Sequence, residues 1–272
     1  MNRLIFEDIH ALSLKDTLDC GQSFRWKEQE NGGFFGVVKG RAATVHTDGD
    51  RLVIDGAEES DRAMWAAYFD LDLDYTAVKE QLSRLHPVMA QAAKYAPGIR
   101  ILNQEPFEAL ISFIISQNNN IKRIVGIVDR LCENFGEPVG DGVFAFPTAG
   151  RLAALEPDDL TPIRAGFRHR YIIDAARKVA DGEIDLERLR TLPYQEAQSQ
   201  LMQITGVGVK VADCVLLYGL HRLESFPLDV WMKRAMATLF DGMEPSVFGE
   251  YAGIAQQYIF HYSRNHPEMF SS

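Results

Sequence analysis

The sequence predicts an α+β protein: an N-terminal antiparallel β-sheet with helices, packed on a longer, mostly α-helical part. Three observations carry this. Short β-prone runs crowd residues 34–54 between glycine-containing turns, an apolar stripe of helical period starts at Pro106, and a helix-hairpin-helix signature occupies residues 201–214. In the first stretch, Phe34-Phe-Gly-Val-Val38, Ala42-Ala-Thr-Val-His46 and Arg51-Leu-Val-Ile54 are bounded by Asn-Gly-Gly, Lys-Gly-Arg and Asp-Gly-Asp, which read as turns joining adjacent strands. From about Asp61 the pattern becomes helical, with candidates over 75–85 and 88–95 before Pro97-Gly98. A stronger helix follows: Pro106 suits a first turn, and Phe107, Leu110, Ile111, Ile114 and Ile115 recur at i, i+3, i+4, i+7 and i+8. Further helices are expected over 121–135, 158–163, 171–180, 195–202, 211–220, 230–240 and 250–263. No internal repeat interrupts this order, so the chain reads as an α+β part over 1–104 and a helical part over 105–272.

Composition narrows the function classes. The chain has 272 residues, of which 46% are hydrophobic, enough for a large core. No stretch reaches the ~18 continuous apolar residues of a membrane helix. The start, Met-Asn-Arg-Leu-Ile-Phe-Glu, is too charged and short for a signal peptide, so a cytoplasmic protein without membrane association is expected. Cys20, Cys132 and Cys214 are scattered and supply no zinc or iron–sulfur pattern, and no metal-ligating set is expected. The formal charge of −10 argues against nucleic-acid affinity as an average property. Phosphate contact is local and screened, however, and residues 164–178 carry Arg164, Arg168, Arg170, Arg177 and Lys178 against Asp174 alone. Lys122, Arg123, Lys210, Lys233 and Arg234 extend such a patch if the fold gathers them.

The richest segment is Leu201-Met-Gln-Ile-Thr-Gly-Val-Gly-Val-Lys210-Val-Ala-Asp-Cys214, followed by Phe226-Pro-Leu-Asp229-Val-Trp231. Leu201 and Ile204 close one helix, Gly206-Val-Gly208 makes a turn suited to glycine, and Lys210 opens a second helix. Such a hairpin aims backbone N–H groups and a helix N-terminus outward, where a phosphate is the natural occupant. Lys210 then admits two readings, a phosphate contact or a nucleophilic amine. Asp229, nineteen residues later, also admits two, an N-cap of the next helix or a fixed carboxylate near a developing cation.

With three further segments, Gly21-Gln-Ser-Phe-Arg-Trp26, Ser116-Gln-Asn-Asn-Asn-Ile-Lys-Arg123 and Gly166-Phe-Arg-His-Arg-Tyr171, the hairpin resembles the helix-hairpin-helix DNA glycosylases. Within that superfamily the resemblance is to the 8-oxoguanine DNA glycosylases, and it runs over most of the chain. It implies a bifunctional glycosylase and AP lyase acting on damaged double-stranded DNA, as a monomer, by extruding 8-oxoguanine opposite cytosine. Lys210 would be the nucleophile that forms a Schiff base, and Asp229 would stabilise the sugar cation. The resemblance places Cys214 and Phe260 on the two faces of the flipped base, Gln256 at its Watson–Crick edge and the Gly21 carbonyl at its N7. It assigns Asn118, Arg123 and Arg168 to the widowed cytosine, Phe167 to a wedge in the stack, and Gly206 and Gly208 to the hairpin's phosphate contact. No cofactor is implied beyond a monovalent cation held by hairpin carbonyls. After Asp229 there is no cysteine for the iron–sulfur loop of some relatives. Trp231 departs from the histidine that many relatives carry there.

Taken alone, the four-residue spacings of Lys210 with Cys214 and of Gln256 with Phe260 fit ordinary helix packing as well as a pocket. Asparagines after a helix are commonly caps and turns. A non-catalytic helix-hairpin-helix module and a glycosylase for another damaged purine remain open on the residues, although alkylpurine glycosylases lack a lysine at the position of Lys210.

Overall fold

A computed structural model describes residues 2–270. The N-terminal sheet has strands β1 (Arg3–Phe6), β2 (Lys27–Glu28), β3 (Phe34–Val38), β4 (Arg41–Asp48) and β5 (Arg51–Asp55) in the order β1-β5-β4-β3-β2, antiparallel throughout. Pairing of Val38 with Arg41 and of Asp48 with Arg51 leaves two-residue turns, the connection that matches strand twist. Leu4, Val45, Leu52 and Ile54 are fully buried in the sheet core, beside Trp65 and Tyr68 of helix α2 (Arg62–Tyr68). The short helix α1 (Leu14–Leu18) adds Leu14 and Leu18.

The helical part comprises α3 (Tyr75–Ser83), α4 (Pro87–Tyr95), α5 (Pro106–Ser116), α6 (Ile121–Phe135), α7 (Ala149–Ala153), α8 (His169–Ala180), α9 (Tyr194–Leu201), α10 (Val209–Tyr218), α11 (Val230–Leu239) and α12 (Ala252–Asn265), with a small hairpin of β6 (Pro138–Gly140) and β7 (Val143–Phe144). Every residue of α5 from Pro106 to Ile115 except Glu108 is buried, so it is the axis around which the others pack rather than a one-sided surface helix. Caps set the helix starts: Glu105 accepts from the Glu108 N–H at 2.7 Å, and Asn120 accepts from the Arg123 N–H at 3.0 Å.

Two expectations shift. Residues 158–163 form part of a 3₁₀ helix, Pro157–Ile163, because Pro162 cannot donate an α-helical bond. The last long helix begins at Ala252 rather than 250, after a 3₁₀ segment broken at Gly249. Helices α3 and α4 pack in the helical core, while the sheet core draws on residues 4–69 and Leu102.

The segment 22–26 ties the two cores together. Gln22, fully buried, donates to the carbonyls of Thr17 and Arg100 at 2.8 Å and accepts from the Leu102 N–H at 2.9 Å. Phe24 meets Phe113 edge-on at 5.8 Å, Arg25 donates to the Phe144 carbonyl at 2.5 Å, and Trp26 donates to the Tyr68 hydroxyl at 2.8 Å. Gly21, just ahead of this strap, is thereby held in place from both sides.

Candidate active site

Two helix N-termini converge on one small cavity. Lys210 is the second residue of α10, and its ammonium lies 5.4 Å from the centroid of the Phe113 ring. Asp229 is the N-cap of α11, where its Oδ1 accepts the Met232 N–H at 2.7 Å. Oδ2 has no hydrogen-bond partner among the described residues. Cys214, one turn beyond Lys210, is buried, and that burial pushes its thiol up to about 11 against the opposing Lys210 charge and hydrogen bond. From α12 come Gln256, 4% exposed, and half-buried Phe260. Gly21 completes the wall with φ +90°, a conformation that favours glycine, and a Cβ there would stand 3.1 Å from Ile121.

The cavity lined by Gly21, Lys210, Cys214, Asp229, Gln256 and Phe260 has a volume of about 50 Å³. It is too small to enclose a purine as it stands. It adjoins a cleft of about 550 Å³ that shares Gly21, Lys210, Asp229 and Phe260 and extends past Asn119, Asn120, Lys122 and Trp231. A larger cavity of about 630 Å³, beside Lys39, Phe146 and Leu186, shares no residue with either.

The hairpin between α9 and α10 is fastened to α8. Asp174 accepts the Thr205 N–H at 2.7 Å and the Lys178 ammonium at 3.0 Å, and Lys178 also donates to the Gln203 carbonyl at 2.7 Å. Partial burial pushes the Asp174 carboxyl up, but these donors prevail and hold it below the usual carboxylate range. The two hairpin glycines differ. Gly206 has φ +81° and sits on the Tyr171 ring, which an added Cβ would approach to 2.4 Å. Gly208 has an ordinary φ of −99°, and nothing lies within 4 Å of its missing Cβ. Its turn therefore does not require glycine conformationally, contrary to expectation. What a side chain would obstruct is the approach from outside to the first turn of α10, which has no side-chain cap.

A second group forms around the connection after α5. Asn118 adopts a left-handed φ of +46°. Arg168, expected as a surface contact, is only 3% exposed: it donates to the carbonyls of Ala165 at 3.1 Å and Asn118 at 3.2 Å, and also to that of Gln117. Burial holds its guanidinium below the usual value, with the Arg123 charge adding to the effect, and its Nε has no hydrogen-bond partner among the described residues. Phe167 covers Arg168 at 4.5 Å and is itself 57% exposed. Arg123 stands in the first turn of α6. Trp231 lines the cleft and leans edge-on against Phe270, 5.9 Å between centroids.

The expected pocket residues thus meet in one cavity, and the Asn118, Phe167 and Arg168 group meets beside its outer cleft. Sequence reasoning missed Phe113, Tyr218, Pro227 and Gln257, all in the same cavity wall. Extending the spacing of Lys210 and Cys214 by one more step of four reaches Tyr218; the other three arrive from elsewhere in the chain.

The family description "8-oxoguanine DNA glycosylase, N-terminal domain" matches residues 4–110, and "HhH-GPD superfamily base excision DNA repair protein" matches residues 111–245. The chain is 34% identical over 253 residues to the N-glycosylase/DNA lyase of Saccharomyces cerevisiae, covering 82% of this chain and 67% of the yeast protein. The chain belongs to the 8-oxoguanine DNA glycosylase family. Solved structures of this family superpose along nearly its whole length. That of MBOgg1 in complex with a low-affinity DNA ligand gives a TM-score of 0.94 at 40% identity, covering 98% of this chain and 97% of that one. The Clostridium acetobutylicum 8-oxoguanine glycosylase/lyase, in complex with double-stranded DNA containing cytosine opposite 8-oxoguanine, gives 0.91 at 36% identity, covering 98% and 96%. The 3-methyladenine glycosylase of Archaeoglobus fulgidus, at 20% identity and a TM-score of 0.76, shares the fold. None of the helices over the described residues is long and apolar enough to cross a membrane.

Proposed function

We propose that the chain excises 8-oxoguanine from duplex DNA and then cleaves the strand at the resulting abasic site. The observation that carries this is one cavity holding Lys210, Asp229, Cys214, Gln256, Phe260 and Gly21 at the foot of an outward-facing hairpin. In this reading the Lys210 amine attacks C1′ of the extruded nucleotide as the bond to the base breaks and the base leaves with the electron pair. Loss of the ring oxygen from C1′ gives a Schiff base, and proton removal at C2′ expels the 3′ phosphate. The Asp229 carboxylate, immobilised by the helix it caps, faces the positive charge that develops on the sugar. Cys214 and Phe260 would take the two faces of the base, Gln256 its Watson–Crick edge, and the Gly21 carbonyl the N7–H that distinguishes 8-oxoguanine from guanine.

Gly206, Gly208 and the uncapped start of α10 would take a phosphate, with Asn118, Arg123, Phe167 and Arg168 meeting the opposite cytosine and the stack. Carbonyls of the hairpin would hold a monovalent cation. Such a cation would neutralise charge between hairpin and phosphate. The reading carries with it action on the chromosome in the cytoplasm, and action as a monomer, since one chain supplies every residue named.

Lys210→Gln tests it. Excision is expected to vanish while lesion-duplex binding persists, and borohydride should trap a covalent adduct with the unsubstituted protein alone. Turnover retained in the variant would remove Lys210 from the role of nucleophile.

A further inference from the structure

On the cavity floor, the Tyr218 hydroxyl lies between two consecutive side chains of α12: 2.5 Å from Oε1 of Gln257 and 3.3 Å from Oε1 of Gln256. All three residues are at most 4% exposed. A hydroxyl carries one proton, which the two amide oxygens share, the nearer Gln257 taking the larger part. The nitrogen ends of both amides are already committed. Gln257 Nε2 donates to the Cys20 carbonyl at 3.4 Å, and Gln256 Nε2 donates to the Pro227 carbonyl at 3.3 Å. The chain of bonds therefore runs from the peptide before Gly21, through Gln257, Tyr218 and Gln256, to the residue two before Asp229.

We propose that the Tyr218 hydroxyl is a positioning group that fixes which end of the Gln256 amide meets an extruded base, and thereby selects guanine-type over adenine-type oxidised purines. The inference rests on the glycosylase reading above and deepens it. Reversing the Gln256 amide would set its oxygen against the Pro227 carbonyl, which can only accept. Its oxygen is held instead toward Tyr218, whose ring stacks on Phe113 at 5.2 Å and 18° and so cannot swing away. Burial pushes the phenol well above its ordinary value, so the group stays a neutral donor. The share of the proton that reaches Gln256 holds its oxygen on the Tyr218 side and leaves that oxygen's second lone pair to accept from a base. A guanine-type edge offers N1–H and N2–H donors, whereas an adenine-type edge presents an N1 acceptor beside an N6 donor. An amide of fixed polarity distinguishes the two; an amide free to reverse does not.

The test compares single-turnover excision of 8-oxoguanine and of 8-oxoadenine, each opposite cytosine. Both bases carry the N7–H that Gly21 would read, so their ratio isolates the Watson–Crick edge. Tyr218→Phe keeps the ring and removes the hydroxyl, and the ratio is expected to fall about tenfold, the scale of one lost polar orientation. Gln257→Met releases the hydroxyl proton to Gln256, so its ratio should hold or rise. An unchanged ratio in Y218F, or equal loss on both substrates, overturns the proposal; if Y218F does not fold, a lowered ratio in Q257M overturns it alone. The underlying reading is checked separately by borohydride trapping of the unsubstituted protein on an abasic duplex. Absence of an adduct there would remove the glycosylase reading, whereas an adduct with an unchanged Y218F ratio removes the Tyr218 proposal only.

Discussion

Lys210 and Asp229 stand on the first turns of two packed helices, and their neighbours Cys214 and Gln256 are buried. Asn118, Phe167 and Arg168 stand instead on connections, with one left-handed backbone, one exposed ring and one guanidinium occupied by its own chain's carbonyls. On the proposed reading, the helices fix Lys210 and Asp229 before anything binds, while the recess beside Phe260 has still to widen for a base. In the second group, proposed to meet the opposite strand, Arg168 already has its donors engaged. For Arg168 to read a cytosine it must exchange backbone carbonyls for base acceptors, so its preference is a difference between two sets of partners rather than the strength of one.

The sharpest way to break this comparison is Asp229→Asn. Asparagine caps a helix nearly as well as aspartate, so the melting temperature should barely move. Without the charge, the single-turnover excision rate should fall about 10²–10³-fold. A melting temperature low enough to account for the lost rate would make Asp229 a cap and nothing more.

Arg168→Ala comes next. Excision opposite cytosine is expected to fall roughly ten- to a hundredfold, and opposite adenine by much less, because a guanidinium fork suits the acceptors of cytosine and meets a clashing donor on adenine. Four duplexes differing only in the opposite base measure this. Equal rates on all four before substitution would leave Arg168 a structural tie between the carbonyls of Ala165, Gln117 and Asn118.

The smallest effect concerns a site remote from both. Burial lifts the Glu108 carboxyl from an ordinary 4.5 to about 7, with Arg25, 3.6 Å away, opposing the shift. The folded state holds that proton more tightly than the unfolded one, so the stability it confers is complete below pH 4.5 and lost as pH rises through about 7. Melting temperature should decline by roughly 5 °C across that interval, and Glu108→Gln should flatten the decline. The same slope in the variant would assign it to other groups.

Legibility in the sequence followed the range of the interactions. Ile121–Phe135 and its Asn120 cap could be read because period and cap are local, and β3, β4 and β5 because their turns are. β1 has four residues and finds its partner in β5, about fifty positions on, while β2 is two polar residues at an edge, so neither leaves a local pattern. Within the site, helical spacing linked Lys210 to Cys214 and Gln256 to Phe260, but not Phe113, which α5 delivers from a hundred residues earlier. Arg168 was legible as a charge and illegible as a buried one, because the carbonyls it binds belong to Gln117 and Asn118, about fifty residues upstream.

The resting cavity of about 50 Å³ bears on what happens after the bond breaks. A base has to push Phe260 and its neighbours apart, and the work of opening is subtracted from the affinity of every base that enters. While the base remains joined to the strand, contacts along the duplex offset that work. Once severed, it has only its own contacts to hold the walls apart. Closure then favours expulsion, so free 8-oxoguanine should be a weak inhibitor, and the slow steps of the cycle should lie in letting go of the DNA rather than of the base.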